Sequence, residues 1–219
     1  DKAAALATFE LLAKAEIAPV IIGAFDPDIV RLLKEAGSTY PVAGLVPLGA
    51  DPHAHAQNAD IIHLCWENMP RPQDSLTREF FRQAFRDNKG VVLWHEEDPM
   101  RMAELRAKPV IGICSDTPEL VAPFRPPTDY PFGTVCHRGA NTIAPENTLP
   151  AFECALAGGF THIEMDLHIT TDGAIVVIHD DRLDRTTDGK GPVTERSLRE
   201  LRALDAGSWF HPHFTGTKI

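Results

Sequence analysis

No apolar run in these 219 residues is long enough to cross a bilayer, so no membrane-spanning helix is expected among them. Positive charge is in deficit: 21 Lys and Arg face 31 Asp and Glu, a formal net charge of −10. Sequence-independent nucleic-acid binding needs clustered Lys and Arg to neutralise phosphates, so no nucleic-acid partner is expected. Cysteine is sparse and scattered. Cys65, Cys114, Cys136 and Cys154 form no C-x-x-C, and three of them lie in apolar runs, where a thiol serves as a small core residue. A reducing, cytoplasmic setting is therefore expected. A signal-peptide pattern is lacking too: Thr8, Glu10 and Lys14 interrupt the alanine-rich stretch Ala3–Ala15, which reads as an amphipathic helix.

What is present is ordinary globular composition, 43% hydrophobic and 24% charged, over 219 residues. That length can bury a core as one domain or as two small ones. Short apolar runs alternate with helical periods. Strands are expected at Pro19–Gly23, Val42–Val46, Asp60–Cys65, Val91–Trp94 and Val110–Cys114, with helices over Pro27–Ala36, Leu76–Arg86 and Pro99–Arg106. Their continuous apolar character suits parallel strands buried on both faces. Residues 122–132 contain four prolines without helical period and read as a linker. Beyond it come strands Thr134–Cys136, His162–Leu167 and Ile175–His179, a helix Thr148–Ala157, and a last helix Ser197–Leu204 with Thr194 as its cap. Such alternation means an α/β fold, either an open sheet or a (β/α) barrel.

Polar residues gather where the later strands end. His137 and Arg138 follow the strand Thr134–Cys136, and His179 and Asp180 follow Ile175–Ile178. Glu164 and Asp166 stand two apart, so a strand would point both to one face. Carboxyl ends of parallel strands are where α/β folds bind ligands. Paired carboxylates are hard oxygen donors for Mg²⁺ or Ca²⁺, histidines titrate near neutrality, and arginine offers a fork to phosphate. Taken singly, each feature has a structural explanation: a hydrogen-bonded histidine, a solvated strand face, an Asp172-Gly173 hairpin turn. Together they describe metal-assisted attack on a phosphate ester.

The run Cys136-His137-Arg138-Gly139, Pro145-Glu146-Asn147-Thr148, Glu164-Met165-Asp166, Thr171-Asp172-Gly173 and His179-Asp180 resembles the glycerophosphodiester phosphodiesterase family, and Arg185-Thr186-Thr187 and Gly189-Lys190-Gly191 continue the match. The resemblance implies a TIM-type (β/α)8 barrel that hydrolyses glycerophosphodiesters to glycerol 3-phosphate and an alcohol with a divalent metal, Mg²⁺ or Ca²⁺. It implies His137 and His179 as acid and base, Arg138 as a phosphate contact, Glu164 and Asp166 as metal ligands, and Glu146 as the residue that orders the loop after the first strand. Phosphatidylinositol phospholipases C and sphingomyelinases D are similar in outline but fit the full set less well.

Residues 1–121 resemble the same family's second half. Val20 to Pro27 is similar to the fifth strand and the following helix start, Val91–Trp94 to the seventh strand, and Ile113 to Pro118 to the eighth. The order is therefore second half (1–121), linker (122–132), first half (133–219), with seven of eight strands and the fourth, which carries a further metal-binding Glu and a Lys, absent by this alignment. A barrel usually needs about 250 residues. Two origins are open: a piece of a tandem of two such domains, which the proline-rich linker favours, or one circularly permuted barrel lacking a strand–helix unit. In either case the two halves could assemble into one incomplete barrel, within the chain or by exchange between chains. The absent Glu also leaves open a non-catalytic binding module. His95, Glu96 and Glu97 stand where the family has an Asn-containing stretch; they are candidate replacement ligands, although a polar loop with Asp98-Pro99 opening the next helix is the favoured reading. His53, His55, His211 and His213 lack a third ligand at fixed spacing and read as surface histidines.

Overall fold

The computed structural model describes residues 2–17, 19–65, 72–105, 107–117 and 133–219. The expected linker, 122–132, lies outside the described residues. The helix Lys2–Ala15 (α1) and the strand Ile22–Ala24 (β1) come first. Asp26 then caps the helix Pro27–Glu35 (α2) by accepting from Asp28 N at 2.8 Å, and Pro27 supplies the fixed φ of a first helical position. The strand Val42–Val46 (β2), the turn of helix Pro52–His55 (α3) and the strand Ile61–Cys65 (β3) follow. Thr77 Oγ1 accepts from Phe80 N at 3.1 Å and opens the helix Arg78–Arg86 (α4), which leads to the strand Gly90–Trp94 (β4), the helix Pro99–Leu105 (α5) and the strand Gly112–Ser115 (β5).

After residues 118–132 the chain continues with strand Gly133–Cys136 (β6), helix Leu149–Ala157 (α6) and strand His162–Ile163 (β7). β1 to β7 form one sheet in chain order, every pairing parallel. β5 pairs with β6 in the register Ser115↔Cys136, so the segments before and after the linker share that sheet. The architecture is an incomplete TIM-type α/β barrel, a curled half-barrel of seven strands with β1 and β7 at its edges. Alternate residues of the strands, among them Val42, Ile62, Leu93 and Ile113, pack with Val30, Leu33 and Phe80 of α2 and α4 in the main core. Ala43, Ile61 and Val92, from the other set of alternating positions, form a smaller cluster. Among the described residues no helix is long and apolar enough to cross a membrane.

Three expectations need correction. The first strand is Ile22–Ala24 rather than Pro19–Gly23; it lies at the sheet edge and is not buried on both faces, since Gly23 is exposed and Ile22 and Ala24 are only partly buried. The expected strand His162–Leu167 stops at Ile163; Leu167–Ile169 (β8) instead pairs antiparallel with Ile175–Val177 (β9). Ile175–His179 is therefore no barrel strand, and β2 and β3 both take places in the seven-stranded sheet. The reason was available in the sequence. A parallel crossover needs a dozen or more residues, and the Thr170–Ala174 connection, closed by Thr170 Oγ1 donating to Asp172 at 2.6 Å, is a hairpin turn. Lastly, the final helix is Leu198–Leu201 (α7), and its cap is Ser197, not Thr194: Ser197 and Glu200 exchange side-chain and backbone hydrogen bonds as a capping box.

Gly139 fixes how the chain leaves β6. Its φ is +83°, and a Cβ there would sit 2.8 Å from Ala151 Cβ and 2.9 Å from the Ala151 carbonyl carbon. Backbone and α6 both oppose a side chain. Gly139→Ala should lower unfolding free energy by about 2 kcal/mol or more, read as a lower urea midpoint at unchanged slope.

Candidate active site

The site is built outward from the turn after β6. Arg138, at φ +58°, lies in the left-handed region, which disfavours a non-glycine residue by about 1 kcal/mol. This conformation directs its backbone N–H to Glu164 Oε2 at 3.2 Å. Its Nη1 donates to Glu146 Oε1 at 2.9 Å, and its Nε lies 3.3 Å from Asp166 Oδ2, within ion-pair range but not aligned as a hydrogen bond. Asn147, also left-handed at φ +57°, donates its backbone N–H to Arg138 O. Its side-chain amide donates to Asp166 Oδ2 at 2.9 Å and accepts from Asp166 N at 3.2 Å. Glu164 and Asp166 thus meet around Arg138, although they belong to the segment between β7 and β8 and not to one strand face as expected.

His137 is 4% exposed. Its Nδ1 stands 2.5 Å from Asp116 Oδ1, its Nε2 accepts from Trp94 Nε1 at 3.1 Å, and Glu164 Oε2 is 3.9 Å from that same Nε2. His95 stacks on its ring at 5.5 Å between centroids. His179 sits two residues past β9, with Nδ1 2.7 Å from Asp180 Oδ1. It reaches the rest through a chain of ions. Asp180 accepts twice from Arg185, Arg185 donates twice to Glu146 at 2.8 Å, and Glu146 also accepts from Arg138. Glu146, expected from the resemblance to order the loop, joins two guanidiniums. Trp94, Asp116, Asn147 and Arg185 had no role assigned from sequence. All four lay inside segments that resemble the family, but Asp116 and Trp94 stand more than twenty residues from His137 along the chain, so their contact with it had no local signal.

Burial first, and then the neighbouring charge of Asp166, push the Glu164 carboxyl up to about 7, against the opposing pull of His137 and Arg138. Glu146 behaves oppositely: burial would raise it, but Arg185 and Arg138 hold it below the usual carboxylate range. Arg185 holds Asp180 well below that range, with His179 adding to the effect. Burial would raise Asp116 as well, and the His137 hydrogen bond overcomes it. Cys114 is pushed up by burial and by Glu164, Asp116, Glu97 and Asp166, so four carboxylates from both halves of the chain surround one strand end.

His95, Glu97 and Asp116 are the one group of three potential ligands with atoms within 4.8 Å of one another among the described residues. Glu97 is already engaged: it accepts from Ser115 Oγ, Thr117 Oγ1 and the N–H groups of Asp116 and Thr117. Glu96 accepts from Glu97 N and Asp98 N and pairs with Arg101 at 2.8 Å, while Asp98 accepts from Met100 N and caps α5. Both glutamates therefore hold the loop together, the favoured reading of that stretch. His53 departs from its expectation, since its ring packs on Phe80 at 5.1 Å and is largely covered.

The family model for glycerophosphoryl diester phosphodiesterases matches residues 1–120 and 137–219. The chain belongs to that family. Among curated relatives, a glycerophosphodiester phosphodiesterase of Bacillus subtilis is 43% identical over 94 residues, covering 39% of this chain and 32% of its own. One of Caldanaerobacter subterraneus is 46% identical over 85 residues, covering 39% and 35%. Among solved structures, the Agrobacterium tumefaciens glycerophosphodiester phosphodiesterase is 48% identical with a TM-score of 0.39, covering 40% of this chain and 38% of its own. An Oleispira antarctica phosphodiesterase in complex with the product sn-glycerol-3-phosphate is 41% identical, with a TM-score of 0.39, covering 40% and 35%. The matched stretch is about a third of the curated relatives' length.

Glu164 has a consequence for stability. A carboxyl raised from 4.5 to about 7 on folding contributes stability that is full below pH 4.5 and lost as pH rises through 7. In metal-free buffer Glu164→Gln should be more stable than the parent at pH 8, by on the order of 2 kcal/mol, with the gap closing toward pH 5. Urea titrations at the two pH values measure it.

Proposed function

We propose that this chain carries the catalytic residues for metal-dependent hydrolysis of a small-molecule glycerophosphodiester to glycerol 3-phosphate and an alcohol. The observation that carries the reading is the single connected cluster of His137, Arg138, Glu164 and Asp166 at the carboxyl end of β6, with His179 linked to it through Asp180, Arg185 and Glu146. Family membership and the names of the relatives support the same substrate class. In this reading His137 and His179 exchange protons with the attacking oxygen and the departing alcohol, and Arg138 faces the phosphate. Glu164 and Asp166 fit a divalent cation, Mg²⁺ or Ca²⁺: two hard oxygen donors lie close together, and the ionised form of Glu164 is disfavoured without a balancing positive charge. Such an ion would act as a Lewis acid at the phosphate oxygens.

The reading extends to organisation. Residues 1–121 correspond to the second half of the family's barrel and 133–219 to the first. The open position between the edges β7 and β1 is then the place of the barrel's absent part, including the fourth strand with its Glu and Lys, to be supplied by a further copy of the domain or by exchange between chains. With two carboxylates instead of three, the 219 residues should bind Ca²⁺ or Mg²⁺ weakly, in the millimolar range. Calorimetric titration checks this; tight binding lost in Asp166→Ala would show that another ligand completes the site.

Hydrolysis is tested by incubating the chain with glycerophosphocholine and Mg²⁺ or Ca²⁺ and detecting glycerol 3-phosphate with a coupled dehydrogenase. Turnover should vanish with EDTA and fall about 10²–10⁴-fold in both His137→Ala and His179→Ala. Inertness toward every diester and metal tried, in a sample that folds, would favour a non-catalytic binding module.

A further inference from the structure

We infer that Asp116, with Trp94 and Asn141, fixes one tautomer and one ring orientation of His137, so that Nε2 presents a lone pair at the site. The inference rests on the reading of His137 as a proton-transfer residue, and its first test does not depend on activity.

The argument runs through donors and acceptors. An indole N–H can only donate. Trp94 Nε1 lies 3.1 Å from His137 Nε2, so that nitrogen must accept and cannot carry the proton. The proton of the neutral ring is then on Nδ1, where Asp116 Oδ1 stands 2.5 Å away and, as a carboxylate, can only accept. The two contacts are mutually consistent and specify opposite ends of one imidazole. Asn141 Nδ2 donates to the same Asp116 oxygen at 2.7 Å, which keeps that oxygen turned toward His137. The carboxylate is kept ionised despite burial, with the His137 hydrogen bond the leading cause. His137 N is also held, donating to Ser115 O at 3.1 Å, so backbone and ring are both anchored to β5 and its end.

This arrangement has a chemical consequence. The Trp94 N–H occupies the direction in which an oxygen substituent carrying a proton would approach Nε2. A water or substrate hydroxyl that takes the indole's place donates to the same lone pair, and His137 accepts its proton while Asp116 stabilises the imidazolium formed. The Trp94 ring packs edge-on against Phe25, itself 48% exposed, at 5.9 Å between centroids, and against His95 and His137. Asp116 is a positioning residue here, acting through His137. The logic is that of a carboxylate orienting a catalytic histidine, assembled from β4, β5 and β6.

The test uses protein labelled with ¹⁵N-histidine, with long-range ¹H–¹⁵N correlation at pH 8 and the His137 signals identified by their loss in His137→Gln. The parent should show Nδ1 protonated and Nε2 unprotonated. Asp116→Asn should keep that pattern, because Asn141 still orients the acceptor oxygen. The Asp116→Ala/Trp94→Phe double variant should move to the Nε2–H-rich mixture of an imidazole in water. An Nε2-protonated ring in the parent, or an unchanged pattern in the folded double variant, overturns the inference. Where the chain turns over glycerophosphocholine, Asp116→Ala should lower kcat about 10²-fold at nearly constant KM, with partial recovery in Asp116→Asn; an unchanged kcat also overturns it. Should the parent prove inert, the proposed function fails while the NMR result still decides the tautomer.

Discussion

The carboxylate of Glu146, 12% exposed and shared between Arg138 and Arg185, is the tie on which the site depends. One guanidinium belongs to the turn after β6 and the other to the segment beyond the β8–β9 hairpin, so this carboxylate joins the parallel sheet to the later, hairpin-centred part of the chain. The bonds to Arg185 are bidentate, which fixes direction as well as distance. Removing one partner from such a group would leave charge uncompensated in a mostly dry place, a loss usually worth several kcal/mol. The position of His179 relative to His137 follows from this chain of contacts, since β9 is not a neighbour of β6 in the sheet.

Around that tie the charges are unevenly compensated. Glu146, Asp180 and Asp116 each have a cation or an N–H donor that keeps them ionised. Glu164 does not have enough: the Arg138 N–H and the nearby His137 offset only part of the cost of burial beside Asp166. Strongly shifted carboxyls of this kind cluster at functional sites. His63, an interior-strand imidazole pushed down to about 4 by burial, adds no positive charge at neutral pH.

Much of this was legible from the residues. Alternation of apolar runs and helical periods identified the α/β architecture, and the spacing from His137 to Asp180 identified the family, because those motifs are local. The Asp172-Gly173 hairpin turn was read from the sequence and the antiparallel β8–β9 pair bears it out, but counting Ile175–His179 among the parallel strands was inconsistent with it. The strand Pro19–Gly23 was misread for another reason: an apolar run does not reveal whether its strand will have two neighbours or one. Ser197 displaced Thr194 as the last helix cap through its exchange with Glu200, a pattern present in sequence three residues apart.

The sequence by itself determined the family motifs of the 136–191 stretch and that strands and helices alternate, since periodicity and motif spacing act within a few residues of one another. Only the tertiary structure decided that β5 pairs with β6, that Arg185 and Arg138 share Glu146, and that Trp94 and Asp116 grip opposite nitrogens of His137. Apart from Arg138–Glu146, which are 8 residues apart, those contacts span 21 to 43 residues, and such distances close only in the folded chain. The electrostatic states of Glu164 and Asp116 follow in turn, because burial and neighbouring charge are properties of the assembled site and not of any segment of the chain.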